Sequence, residues 1–204
     1  MDHYNLSIRL GHPLSSLAPS LTNGPGWRIN LWTQGCSLRC TENCLNPDFL
    51  SPTGGYAYPA SQVMEALLDT VKRSYREVDG ITILGGEPTD QLPAVIEILK
   101  GARYSGLSTM VYSGRSYEWL AKRTDSSTKR FLELTDILVD GPFDSKQYHD
   151  RLMWRGSANQ RILCLSTRYT MEDLERTYEK QGKGFSLLIN PEGLISISGL
   201  QSPR

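Results

Sequence analysis

The chain is predicted to fold as an α/β protein on a mostly parallel, curled sheet with outer helices. Two observations lead there. Between residues 27 and 140, short β-prone runs alternate with segments whose apolar residues recur at helical spacing, the rhythm of βα units. Each β-prone run also stops at a glycine-containing turn, at Gly35, Gly85-Gly86, Gly114 and Gly141-Pro142. Four or five such units are too few for a closed eight-stranded barrel, so the count predicts a partial (β/α) barrel closed off by a C-terminal β-hairpin.

Residues 1–26 read as an N-terminal extension. A short strand near Ile8 leads into a Pro/Ser/Gly-rich connection ending Asn23-Gly24-Pro25-Gly26, where glycine and proline set a turn. Residues 28–33 alternate into the first core strand, and a cysteine-rich loop follows at its carboxyl end, where α/β proteins build ligand sites. Past a turn-rich stretch at 51–55, residues 61–74 place Val63, Met64, Leu67, Leu68 and Val71 on one helical face. Residues 81–84 form a buried strand that ends at Gly85-Gly86-Glu87-Pro88. Leu92, Val95, Ile96 and Leu99 mark a second helix, with Asp90 its expected cap and Pro93 tolerated in its first turn. A third strand over 108–112 ends at Ser113-Gly114, and Ser116 is placed to cap a helix carrying Trp119 and Leu120. A helix over 129–134 precedes a fourth strand over 136–140.

In the C-terminal part, 141–204, residues 162–165 give a fifth strand, and Thr170 through Asp173 match a capping box opening a helix to about Lys180. Two β-prone runs, 185–189 and 194–197, flank Asn190-Pro191-Glu192-Gly193 as a hairpin. Neither a linker nor a repeat divides the chain, which reads as one domain over 1–204.

Composition narrows the function classes. With 22 Lys and Arg against 22 Asp and Glu the net charge is zero, so nothing electrostatic argues for a nucleic-acid or membrane partner. The first ten residues lack a basic start followed by an apolar core, and no window approaches membrane-spanning length, which gives a cytoplasmic reading. Four cysteines are too few for a secreted disulfide scaffold.

Cys36, Cys40 and Cys44 fall within nine residues. Thiolates are soft ligands for zinc or iron-sulfur clusters, and this spacing lets one loop wrap one centre. Three ligands leave a metal position open to something that is not protein. Other readings are a zinc completed by His3, His12 or His149, a disulfide with one thiol left over, or unrelated buried thiols. Arg39, Thr41, Glu42 and Asn43 are too polar for a core segment, so the spacing favours a metal centre and leaves iron-sulfur and zinc both open.

The ordered motifs Asn23-Gly24-Pro25-Gly26-Trp27-Arg28, Trp32-Thr33-Gln34-Gly35-Cys36, Cys44-Leu45-Asn46-Pro47, Gly85-Gly86-Glu87-Pro88 and Tyr112-Ser113-Gly114 carry a family resemblance. Leu138-Val139-Asp140-Gly141-Pro142-Phe143, the run from Arg155 to Ile162 and Pro191-Glu192-Gly193 extend it. The chain resembles radical S-adenosylmethionine enzymes, and among them the small activating proteins of glycyl-radical enzymes. The resemblance implies a 4Fe-4S cluster on Cys36, Cys40 and Cys44, with the amino and carboxylate groups of S-adenosylmethionine chelating the fourth iron. It implies reductive cleavage to methionine and a 5′-deoxyadenosyl radical, which takes hydrogen from a backbone glycine of a partner such as anaerobic ribonucleotide reductase. An electron donor such as flavodoxin or ferredoxin is implied as well. A radical enzyme acting on a peptide or small molecule, and a non-catalytic iron-sulfur or zinc module, stand as alternatives.

The cofactor contacts it implies are Asn43, Gly85, Gly86, Glu87, Ser113 and Asp140. Gly85 and Gly86 would let backbone approach the cofactor's amino group, and Glu87 adds an acceptor, although this tripeptide also suits a plain strand-to-helix turn. Ser113 would bond the cofactor carboxylate or ribose. Asp140 before Gly-Pro is equally a turn former. Arg155 and Arg161 would neutralise the methionine carboxylate, position a partner or simply be solvated. Asn46 would brace the cluster loop through its side chain, and Cys164 reads as a buried thiol. The chain departs from the usual loop, which has three and then two residues between cysteines; here there are three and three, so one residue must bulge out or shift a thiolate. Val111 also stands where some activating proteins carry an aspartate of a cation site.

Overall fold

The computed structural model describes residues 6–182, 185–189, 193 and 195–199. In chain order the elements are β1 (Ser7–Leu10), β2 (Pro19–Ser20), β3 (Arg28–Thr33), β4 (Tyr56–Pro59), α1 (Ala60–Arg73), β5 (Gly80–Gly85), α2 (Leu92–Tyr104) and β6 (Ser108–Ser113). There follow α3 (Tyr117–Ala121), α4 (Ser126–Leu134), β7 (Ile137–Asp140), β8 (Arg161–Cys164), α5 (Met171–Gln181), β9 (Phe185–Ile189) and β10 (Ile195–Gly199). The fold is mixed α/β. Its main sheet has the order β4-β1-β3-β5-β6-β7-β8, with β2 paired to β3. The central strands β3, β5, β6 and β7 are parallel, and antiparallel strands flank them on both sides.

Side chains alternate across the sheet with the two-residue period of a strand, and the two faces differ in character. One face carries Ile29, Leu31, Ile81, Ile83, Val111 and Leu138, which pack with residues of α1, α2 and α4 such as Leu67, Ile98 and Phe131. Val111 therefore serves the helix-side core. The inner face gathers Met110, Ile137, Val139 and Ile162, together with Trp154 and Leu174. Leu174 belongs to α5, so that helix packs with the inner cluster rather than on the outer layer.

The inner face also holds a fully buried arginine. Arg28 donates to Thr82 Oγ1 at 2.8 Å, to Ser108 Oγ at 2.8 Å and to the carbonyls of Pro25, Ile81 and Ser108. With its donors spent on neutral acceptors it satisfies the requirement that a buried polar group be bonded, and it fastens the turn at Pro25 onto the sheet.

Two sequence expectations need correcting. Asp90 does not cap α2: Gln91 holds that position without a side-chain bond to the helix, because a 3₁₀ turn over Pro88–Gln91, capped by Glu87, intervenes. The helix expected over 129–134 starts earlier, at Ser126, with Asp125 accepting from the Thr128 N–H at 2.8 Å. The strands β2 and β4 went unread, as both lie in or beside segments rich in turn residues.

The caps at Ser116 and Thr170 are present, the latter as a full capping box with Asp173. The hairpin strands pair antiparallel, Phe185 opposite Gly199, while turn residues 190–192 and Leu194 lie outside the described residues, as does His3. Among the described residues no helix is long and apolar enough to cross a membrane.

Candidate metal centre

The loop that carries the three cysteines leaves β3 at Thr33 and returns through a 3₁₀ turn over Pro47–Phe49. Main-chain bonds close its base. Gly35 N–H donates to Phe49 O at 2.8 Å and Cys36 N–H to Leu50 O at 3.3 Å. The Gln34 amide donates to the carbonyls of Asp48 (3.0 Å) and Ser51 (2.8 Å), and Trp32 stacks on Phe49 at 5.2 Å. The end of β5 lies against this base: Gly86 N–H donates to Thr33 O and Glu87 N–H to Gly35 O, at 2.8 and 2.9 Å.

Inside the loop no regular element forms. Arg39 adopts a left-handed backbone at φ 42°, and Glu42-Asn43 make an exposed turn in which the Thr41 hydroxyl accepts from the Asn43 N–H at 3.2 Å. Two glycines let neighbouring segments press on the loop, one after β6 and one in the connection before β8: a Cβ at Gly114 would meet Leu38 at 2.7 Å, and one at Gly156 would meet Leu45 at 2.6 Å.

Cys36, Cys40 and Cys44 are free thiols that line one cleft of about 240 Å³. Gly85, Gly86, Glu87 and Ser113, from the ends of β5 and β6, line the same cleft. Asn43 and Asp140 are not among its lining residues. Cys40 is exposed, whereas Cys36 and Cys44 are half-buried. Burial pushes the Cys36 and Cys44 thiols up, opposed by backbone N–H groups of Arg39 and Leu38 at Cys36 and of Asn46 at Cys44. Amide bonds to ligating sulfur are one of the means by which a protein tunes a cluster.

Among the described residues no three His, Cys, Asp or Glu side chains converge as a single ion requires. One zinc needs every ligand within about 2.3 Å of a common point. A four-iron cluster places each thiolate on a different iron, so its ligands stand apart around a shared space. Three thiols that line one cleft are the donor set such a cluster takes.

Glu87 is buried, and its carboxylate is occupied by protein donors. It accepts from Thr89 N (3.0 Å), Thr89 Oγ1 (2.6 Å), Ser113 Oγ (2.9 Å) and Gly114 N (2.8 Å). Burial raises its pKa despite those bonds. Asp140, also buried, accepts from Tyr117 N and from Arg161, which in turn pairs with Glu118. Arg161 is thereby drawn to α3. Arg155 lines the cleft, with one guanidinium nitrogen on Gln160 O at 3.0 Å and its buried Nε without a partner among the described residues. Asn46 braces the loop through its backbone, not its side chain: its N–H lies 3.4 Å from Cys44 Sγ and its carbonyl accepts from Phe49. Cys164 is half-buried on β8, away from the cleft lining.

A sequence profile of the 4Fe-4S single cluster domain matches residues 22–163, which takes in the loop, the parallel strands and β8. The chain belongs to the 4Fe-4S single cluster domain family. Within that family it is 29% identical over 152 residues to the anaerobic ribonucleoside-triphosphate reductase-activating protein of Pasteurella multocida, covering 73% of this chain and 94% of that one. The protein of the same name from Vibrio cholerae is 31% identical over 144 residues, covering 70% and 90%. A pyruvate formate-lyase-activating enzyme from Clostridium pasteurianum is 35% identical over 118 residues, covering 56% of this chain and 48% of its own.

The walls of the cleft were not legible in advance. Tyr112 is partly buried and donates to Trp154 O at 2.6 Å, while Trp154 holds a left-handed φ of 42° and meets Tyr178 edge-on at 5.5 Å. Only the motif position of Tyr112 hinted at this, since Trp154 and Tyr178 come from segments far along the chain.

Proposed function

We propose that this chain is a radical S-adenosylmethionine activase that installs a glycyl radical on a partner enzyme of the anaerobic ribonucleotide reductase kind. Cys36, Cys40 and Cys44 hold the 4Fe-4S cluster. Gly85 and Gly86 present backbone to the amino-acid end of S-adenosylmethionine, and Ser113, whose hydroxyl proton goes to Glu87, keeps a lone pair to accept from a ribose hydroxyl of the same ligand. When bound, the cluster and S-adenosylmethionine supply the one-electron chemistry that breaks the sulfonium bond and takes hydrogen from a partner glycine. The chain's own part is to hold, orient and exclude water. Leu38, Trp32, Tyr112 and Trp154 give the cleft apolar walls, which keep solvent from competing for a reactive intermediate. The exposed Cys40 side offers the short route by which a donor such as flavodoxin or ferredoxin delivers an electron.

The implied contacts of Asn43 and Asp140 form no part of this proposal, since neither lines the cleft and the Asp140 carboxylate is held by Tyr117 and Arg161. The reading also takes the sheet as curled into a partial barrel, the chain as one domain, and its setting as the cytoplasm, where thiolates stay reduced. Neither nucleic acid nor membrane is a partner.

One observation carries the proposal: three thiols and the glycine-rich ends of two parallel strands share a single cleft. The test is anaerobic reconstitution with iron and sulfide, reduction, and measurement of 5′-deoxyadenosine from S-adenosylmethionine. Cleavage in the wild type that disappears in Cys40→Ala is expected. A fully loaded cluster that yields no deoxyadenosine, with candidate partners present, overturns the reading.

A further inference from the structure

Asp90 serves the cysteine loop instead of capping α2. Its Oδ2 accepts from the Ser37 backbone N–H at 2.7 Å, and its Oδ1 accepts from the Ser37 hydroxyl at 2.8 Å. Ser37 directly follows Cys36. Arg115, from the turn after β6, joins the same group, with one nitrogen 3.3 Å from Asp90 Oδ1 and 3.3 Å from Ser37 Oγ. Its Nε donates to Thr89 Oγ1 at 3.0 Å, and its guanidinium lies over the Trp119 ring at 4.3 Å. The Thr89 hydroxyl in turn donates to Glu87. One line of hydrogen bonds therefore runs from the buried Glu87 carboxylate to the backbone beside Cys36.

A partly exposed ion pair is ordinarily worth little, and the Arg115–Asp90 contact taken alone is of that kind. Two features set this arrangement apart. Both carboxylate oxygens are engaged by donors of one residue, which gives charge-assisted bonds with a fixed direction. The guanidinium is also held by Thr89 and by the Trp119 face, so it is oriented before it meets Asp90. Ser37 lies outside any strand or helix, so these contacts supply the order that a regular element would otherwise provide.

We infer that Asp90 and Arg115 form a latch that positions the Cys36 sulfur for its iron. Both are positioning residues acting through Ser37, and the inference rests on Cys36 being a cluster ligand. The two charges act oppositely on an electron arriving beside them. Loss of the carboxylate makes reduction easier, and loss of the guanidinium makes it harder.

The first experiment uses the full chain without iron and measures the alkylation rate of each cysteine with iodoacetamide by mass spectrometry. Asp90→Leu is expected to raise the rate at Cys36 about tenfold while Cys164 is unchanged. Asp90→Asn keeps an acceptor for the Ser37 N–H and is expected to recover most of the protection. Equal Cys36 rates in wild type and Asp90→Leu overturn the latch. If Asp90→Leu accelerates Cys164 too, Ser37→Ala decides, because it removes only the hydroxyl's contacts to Asp90 and Arg115 and keeps the backbone bond: a faster Cys36 alone supports the latch, and an unchanged Cys36 overturns it.

The second experiment measures the reduction potential of the reconstituted protein. Asp90→Asn is expected to raise it and Arg115→Gln to lower it; shifts of one sign, or none, overturn the inference. The alkylation result stands even if the wild type never cleaves S-adenosylmethionine. Unchanged alkylation ends the latch while leaving the activase reading intact.

Discussion

Gly86 lies so close to Gly35 that a Cβ on Gly86 would sit 2.1 Å from the Gly35 carbonyl oxygen and 2.8 Å from that of Phe49. Both contacts are backbone, so neither can swing aside. The glycine expected to admit a cofactor is thus also the one that admits the chain's own cysteine loop.

Gly86→Ala is accordingly expected to lower stability by about 3 kcal/mol, through overpacking against backbone. Gly106→Ala is the matched control. Gly106 has a φ of +82° but nothing within 4 Å of a built Cβ, so only conformational strain of about 1 kcal/mol applies. Urea unfolding of both variants checks the ordering, and equal losses would refute it.

Glu87 should leave a mark on the pH dependence of stability. Burial raises its folded pKa above the unfolded value, so the protonated form is favoured by folding. Its contribution is complete below the unfolded pKa and is lost as pH rises through the folded one. The stability of wild type relative to Glu87→Gln should therefore fall as pH rises above the ordinary carboxylate range. A flat difference there would contradict the assignment.

The Asp140–Arg161–Glu118 group predicts a spectroscopic change. Hydrogen bonds from Arg161 hold the Glu118 carboxyl down to about 2. In Arg161→Leu its titration, followed by carbon-detected NMR, should return toward the ordinary carboxylate range. The same variant leaves the buried Asp140 with the Tyr117 N–H as its remaining donor, and a loss of about 1–3 kcal/mol is expected.

Cysteine variants should separate cleanly by position. Cys36→Ala, Cys40→Ala and Cys44→Ala should each lower the iron bound after anaerobic reconstitution, whereas Cys164→Ala should load like wild type. Iron and sulfide analysis settles the matter, and a loading defect in Cys164→Ala would implicate β8 in the centre.

The parallel strands could be read from sequence because each is a short apolar run cut off by glycine, and that punctuation is local. The caps at Ser116 and Thr170 were legible for the same reason, since donor and acceptor lie three residues apart. Asp90 was misread because its strongest partner, Ser37, is 53 residues away. A helix-preceding aspartate looks like a cap until the fold offers it something better. The aromatic walls of the cleft were hidden likewise, Tyr112 reaching Trp154 across 42 residues. The three cysteines were visible because metal loops keep their ligands close in sequence.

The bonds from Gly35 to Phe49 and from Cys36 to Leu50 turn the cysteine loop into a ring closed at its neck. Such a ring does not fray from an end, as a terminal segment would, and it opens only when the neck gives way. A trypsin cut after the exposed Arg39 would therefore sever the polypeptide without setting either half adrift. The nicked protein would migrate as two fragments under denaturing conditions and as one particle in native buffer, its cysteines still gathered about the same space.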